Sequence, residues 1–212
     1  RTSIVDSLQE IQASPHQPDT SFLKQHYPIE GQKNFGTFIL REMGYDFEAG
    51  RLDVTVHPFA ISLNPGDVRV TTKYETDDFR TSLFGTIHEG GHALYEQNIS
   101  RELIGTPLCS GTSMGIHESQ SLFWENFIGR HPAFWSRYYD KLVEQFPSQL
   151  AHVDLDTFFR GINVAGPSLI RIEADELTYA LHIMIRYEIE KGLINEQINV
   201  SDLPEIWNSK MQ

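Results

Sequence analysis

Residues 77–99, DDFRTSLFGTIHEGGHALYEQNI, constrain this chain more than any other stretch. Leu83, Ile87 and Leu94 recur along one helical stripe, and Phe84, His88, His92 and Tyr95 along the neighbouring one. Asp77 or Asp78 supplies a cap at the start. Within the helix, HEGGH sets His88 and His92 at i and i+4, so the two rings point the same way from consecutive turns. That separation suits two imidazole nitrogens about 2 Å from a tetrahedral zinc. Glu89 is rotated by about 100° from His88, so it can reach a water at the metal without ligating the metal itself. Gly90 and Gly91 each cost roughly 1 kcal/mol in a helix relative to alanine. Such a pair implies that another backbone, or a substrate, comes close on that face. The competing reading is a core helix with two polar histidines. With 9 His and 17 Glu in 212 residues, about 0.03 chance matches to H-E-x-x-H are expected, so the motif needs context.

The rest of the chain reads as mainly α. Helical patterns cover SIVDSLQEIQAS near the start, 32–43 closed by Gly44, about 113–130, 132–146, 155–163, 168–193 and 201–212. In 168–193, Leu177, Leu181, Met184, Ile185 and Ile189 form the apolar stripe. Ahead of the motif helix, RLDVTVHPF and DVRVTTKY alternate with period two. Between them lies AISLNPGD, with a turn signal at Asn64–Asp67. The expectation is a helical domain with a small antiparallel β-hairpin or sheet before the HEXXH helix. Residues 1–212 read as a single metal-binding region. The chain opens RTSIVDSLQE without an initiating Met and stops within a helical pattern, PEIWNSKMQ, so it reads as a piece of a longer polypeptide.

Charge narrows the partners. A formal net charge of −12 disfavours nucleic acid and anionic membrane, which need a basic footprint. An anionic ligand must then be caught by particular arginines. No apolar run approaches the roughly 18 residues of a membrane span. The single cysteine, Cys109, allows no internal disulfide and fits a reducing cytosol.

A third metal ligand is offered by GTSMGIHESQSLFWENF. Glu118 follows His92 by 26 residues, across a turn-rich stretch with Gly105, Pro107, Gly111 and Gly115. Helical spacing puts Glu118, Ser121, Leu122 and Glu125 on one face, with His117 pointing elsewhere. An acidic residue in so apolar a segment is better explained by a buried partner than by solvent, and a metal is a strong one.

The chain resembles the zinc carboxypeptidases typified by carboxypeptidase Taq. Five motifs occur in order: His57-Pro58-Phe59; Asp67-x-Arg69-x-Thr71; His88-Glu89-x-x-His92; His117-Glu118-Ser119-Gln120; and Ile170-Arg171-x-x-Ala174-Asp175. The resemblance implies that His88, His92 and Glu118 ligate Zn²⁺, with Co²⁺ suiting the same donors, and that Glu89 is the general base. It makes Arg171 a candidate for gripping the C-terminal carboxylate of a peptide substrate. His57, Asp67 and Arg69 would help close one end of the substrate groove. It also implies a largely helical, neurolysin-like fold and a homodimer for the full-length protein. A further family motif, G-x-x-Q-D-x-H-W, is absent, and family chains are more than twice this length.

Several roles stay open on sequence alone. Arg171 and Asp175, at i and i+4, read either as anchor and support or as a simple helix salt bridge. Arg69 is an anchor or a groove wall. His57 either donates to the oxyanion or is a packed histidine. Tyr95 and Asp175 are candidates for holding a ligand in place. Three functional readings follow: a zinc carboxypeptidase, a neurolysin-type zinc endopeptidase, and a metal-binding fragment that is catalytically silent.

Overall fold

The computed structural model describes residues 1–211. Its elements run α1 (Thr2–Ala13), α2 (Ile29–Met43), β1 (Leu52–Val54), β2 (Ala60–Asn64), β3 (Asp67–Thr72), α3 (Phe79–Gln97) and α4 (Met114–Leu122). A π-helical turn (Phe123–Ile128) follows, then α5 (Pro132–Gln145), α6 (Pro147–Leu150), α7 (Leu155–Ile162), α8 (Glu176–Ile194) and α9 (Leu203–Met211). Among the described residues no helix is long and apolar enough to cross a membrane. The chain divides into two compact units, Asp19–Ile162 and a second made of Arg1–Pro18 with Asn163–Gln212.

The 19–162 unit is built around α3, which packs on α2, the sheet and α4. On α2, Phe35, Ile39, Leu40 and Met43 are buried at helical spacing, and Gly44 ends the helix in the left-handed region. An aromatic layer fills the core under α5 and α7. Trp135 is fully buried, its ring 4.6 Å from Phe158 and stacked at 6.4 Å on Phe35, while its indole N–H donates to Gly129 O at 2.9 Å.

The sheet has the order β1-β3-β2. The antiparallel hairpin ahead of α3 is present, but its first strand is β2 rather than the RLDVTVHPF stretch, and β1 adds a parallel strand on the other side of β3. Two local causes explain the difference. Pro58 brings no N–H to a ladder, and the neighbouring Phe59 N–H is taken by the Thr71 hydroxyl at 2.8 Å. In β2 the apolar residues Ile61 and Leu63 face outward while Ala60 and Ser62 face in, which inverts the usual signal.

In the other unit, α8 packs against α1 and α9. Its inward stripe is Thr178, His182, Ile185, Ile189 and Gly192. The helix starts at Glu176, not at 168. The Asp175 carboxylate accepts from the N–H groups of Leu177 and Thr178 at 2.9 and 3.0 Å and from the Thr178 hydroxyl at 2.7 Å, which makes it the N-cap. Arg171 lies before this cap in a short 3-10 turn.

Candidate metal centre

The motif helix forms as its sequence implies. The Asp78 side chain caps α3 by accepting from Arg80 N–H at 3.0 Å, and it also holds the Arg80 guanidinium. His88 and His92 then stand one turn apart, ring centroids 5.0 Å from each other. The glycine pair has a physical cause. A Cβ on Gly91 would lie 2.7 Å from Ser121 Cα and 2.8 Å from Gln120 O, so only glycine lets the backbone of α4 approach α3 this closely. On Gly90 a Cβ would meet the ends of Leu40 and Met43 on α2.

That approach delivers Glu118. Its Oε2 is 3.4 Å from His92 Nε2 and 3.7 Å from His88 Nε2, and one donor atom from each residue lies within 4.8 Å of the others. Ligands bonded at 2.0–2.1 Å in a tetrahedron stand roughly 3.4 Å apart. The three residues therefore fit a metal ion, and the N₂O donor set with an open fourth position suits one that meets substrate. Among the described residues this is the single cluster with metal-ligand spacing.

The faces turned away from that point are held as well. His88 Nδ1 lies 2.8 Å from Glu125 Oε2. Glu125 sits in the π-helical turn, and Arg130, on its other side, stacks its guanidinium 4.0 Å from the Phe84 ring centroid. His92 Nδ1 lies 2.7 Å from His117 Nδ1, and His117 Nε2 lies 2.7 Å from Glu96 Oε1. His117 thus points at a metal-site histidine, contrary to the helical projection. Tyr95 touches neither metal-site histidine by hydrogen bond. Its ring packs edge-on to His117 at 5.1 Å, and its hydroxyl accepts from Thr112 N–H. Glu96 was legible as the third member of an i, i+4, i+8 row with His88 and His92. His117 stands in the His117-Glu118-Ser119-Gln120 motif, but its contacts with His92 and Glu96 depend on α4 folding against α3.

The charges of the cluster shift one another. Burial works against the charged form of His88, but Glu125, Glu89 and Glu118 outweigh it and raise the His88 pKa. Burial raises Glu89, which is 8% exposed, above the ordinary carboxylate range, partly offset by His88, His92 and a backbone hydrogen bond from Ala60 at the start of β2. Glu118 is lowered, mainly by its hydrogen bond from His92.

The remaining motif residues occupy varied places. His57 is exposed in the bend between β1 and β2. The Thr71 hydroxyl accepts from Phe59 N–H and donates to Phe59 O, which ties the His57-Pro58-Phe59 motif to the Asp67-x-Arg69-x-Thr71 motif. Arg69 is exposed and closes its fork on Asp67 through two bonds of 2.8 Å. Arg171, in the other unit, donates to the Tyr179 hydroxyl at 3.0 Å. The helix salt bridge that was one alternative for Arg171 and Asp175 does not form, because both residues precede α8 and Asp175 is committed to its cap.

With this geometry in view, the sequence matches the profile of carboxypeptidase Taq (M32) metallopeptidases over residues 1–212. The chain belongs to that family. Within the M32 family it is 57% identical to carboxypeptidase 1 of Bacillus subtilis, covering 100% of this chain and 42% of that protein. It is 50% identical over 203 residues to thermostable carboxypeptidase 1 of Thermus thermophilus, covering 96% of this chain and 40% of the relative. The crystal structure of the M32 carboxypeptidase from Deinococcus radiodurans R1 superposes with a TM-score of 0.92 at 42% identity, covering 99% of this chain and 41% of that one. The chain spans about two fifths of the length of the M32 relatives it matches.

Proposed function

We propose that this chain is the metal-binding catalytic section of a zinc carboxypeptidase that removes residues one at a time from the C-terminus of peptides. The convergence of His88 Nε2, His92 Nε2 and Glu118 Oε2 beside a buried Glu89 carries this reading. Zinc, or cobalt on the same donors, would polarise the last peptide carbonyl and lower the pKa of water toward neutrality. Glu89 takes a proton from the attacking water as the water oxygen bonds to the carbonyl carbon. As the C–N bond breaks, Glu89 passes that proton to the leaving amine. Burial raises the pKa of Glu89, which makes it a stronger base than an ordinary carboxylate.

An arginine that grips the terminal carboxylate through two parallel hydrogen bonds fixes the scissile bond one residue from the end. Arg171 takes this role, its guanidinium meeting the Tyr179 hydroxyl and, among the described residues, no carboxylate fork, whereas the fork of Arg69 is already closed on Asp67. Arg69 and Asp67 then act as a groove wall, and His57 serves the oxyanion. On this reading the full-length protein is a homodimer, and the one cysteine of these 212 residues, Cys109, suits the cytosol.

The test compares one short peptide as free acid and as C-terminal amide, incubated with the zinc-loaded protein and followed by mass spectrometry. Successive single-residue losses from the acid and little loss from the amide support the assignment. Glu89→Gln should retain zinc and lose hydrolysis. Equal cleavage of acid and amide would point to an endopeptidase, and undiminished turnover in Glu89→Gln would remove Glu89 from the chemistry.

A further inference from the structure

We infer that Tyr179 is a positioning residue for Arg171: its hydroxyl holds one corner of the guanidinium and leaves the Nε–Nη2 edge to pair with the terminal carboxylate of a peptide. The inference rests on the reading of Arg171 as the anchor and deepens it. Both residues belong to the unit made of Arg1–Pro18 and Asn163–Gln212. Arg171 Nη1 donates to the Tyr179 hydroxyl at 3.0 Å, and its Cζ lies 5.9 Å from the centre of the Tyr179 ring. A guanidinium carries its N–H donors in a rigid fork, and a carboxylate takes two parallel ones from a single edge. Arg69 shows one such edge in this chain, since Nε and Nη2 are the two atoms it closes on Asp67. In Arg171 the holding bond comes from Nη1, so the corresponding edge is not spent on Tyr179. The holder is also neutral. A phenol hydroxyl fixes the guanidinium without cancelling its charge, whereas a carboxylate in that place would compete with the substrate.

The backbone that carries Arg171 is braced at the same helix end. Asp175 Oδ2 accepts from Gly166 N–H at 3.0 Å and from the Thr178 hydroxyl at 2.7 Å, while Oδ1 accepts from the Leu177 and Thr178 N–H groups. These donors occupy the carboxylate, and they tie both ends of the 166–175 segment to the start of α8. Just before Arg171, the Ser168 hydroxyl donates to Ile170 O and accepts from Ile170 N–H. Just after it, Ala174 N–H closes a turn on Arg171 O at 3.2 Å. Asp175, the cap, and Tyr179 stand about one turn apart. One end of α8 thus fixes both the arm and the side chain it carries. An unheld arginine loses its rotamer freedom on meeting substrate, whereas a held one has lost it beforehand.

Tyr179→Phe keeps the ring and removes the acceptor. The experiment measures, by calorimetry on the metal-free protein, the affinity of one short peptide as free acid and as C-terminal amide. It compares the wild type, Tyr179→Phe, Arg171→Ala and the double variant. Holding a rotamer-rich side chain in advance is worth about 2–10-fold in affinity, so Tyr179→Phe should weaken the acid by that factor and leave the amide unchanged. In the Arg171→Ala background the same substitution should change nothing further, because Tyr179 acts through Arg171. ¹⁵N relaxation should show the Arg171 Nε–H ordered in the wild type and mobile in Tyr179→Phe. Equal losses for acid and amide, or an added loss in the Arg171→Ala background, would make Tyr179 merely structural and overturn the inference. So would an unchanged acid affinity, or an Arg171 that stays ordered. A wild type that binds acid and amide equally, or an Arg171→Ala that keeps the preference for the acid, would instead overturn the anchor reading, while the relaxation arm would still judge the hold of Tyr179 on Arg171.

Discussion

Three glycines of α3 form a graded test of how the metal centre is assembled. Intrinsic helix propensity favours alanine over glycine by roughly 1 kcal/mol at each position. Around Gly85 a Cβ meets nothing within 4 Å, so Gly85→Ala should gain close to that amount. At Gly90 the Cβ would press on Leu40 Cδ2 and Met43 Cε, side-chain ends that can swing aside, so gain and cost should nearly cancel. At Gly91 the obstacles are the Ser121 and Gln120 backbones of α4, 2.7 and 2.8 Å from the added carbon. Optimal carbon contacts are about 3.5–4.0 Å, so the two helices must separate by roughly 1 Å. Overpacking of that kind costs about 1–3 kcal/mol, which exceeds the propensity gain. Thermal unfolding with a chelator present should place Gly85→Ala above wild type and Gly91→Ala below it, each by roughly 2–4 °C per kcal/mol. The same displacement carries Glu118 away from the histidines. Metal sites tolerate about ±0.2 Å in ligand distance, so zinc affinity in Gly91→Ala should fall more than about tenfold while Gly85→Ala keeps it. A Gly91→Ala protein as stable as Gly85→Ala, with undiminished zinc affinity, would refute the claim that close backbone approach positions the third ligand.

In the metal-free protein Glu89→Gln should raise the melting temperature at neutral pH. The folded pKa of Glu89 lies above its unfolded value, so its contribution is most favourable below about pH 4.5 and is lost as pH rises through the folded pKa; the gain from Gln should accordingly vanish on acidification. Zinc affinity should begin to drop on acidification at a higher pH than a free histidine would give, because the His88 pKa is raised and the proton competes with the metal; a titration followed by chelator competition checks the onset. Asp175→Ala should cost about 1 kcal/mol of stability through the lost α8 cap, read by denaturant midpoint, and Asp175→Asn should restore most of it.

What the sequence disclosed followed the range of the interactions. The α3 helix, its Asp78 cap and the i, i+4 histidine pair depend on neighbours a turn or two away, so periodicity exposed them. The purpose of Gly91 was legible only as a demand for close approach, since the approaching Ser121 backbone comes from a separate helix. The inward Ala60 and Ser62 of β2 hid that strand, and the cap at Asp175 was masked by the apolar pattern running through 168–193. The π-helical turn after α4 interrupts what reads as one helix over 113–130, and it carries Glu125, the partner of His88. His117 and Glu96 lie 21 residues apart, and nothing local announces their contact.

The most direct test of the account is the position of zinc itself, from anomalous diffraction at the zinc edge on metal-soaked crystals. The account predicts one strong peak about 2.0–2.2 Å from His88 Nε2, His92 Nε2 and a Glu118 carboxylate oxygen, with Glu89 beside it and outside the coordination sphere. A peak ligated through either Nδ1, a site that includes His117 or Glu125 among its ligands, or no peak between α3 and α4 would contradict it.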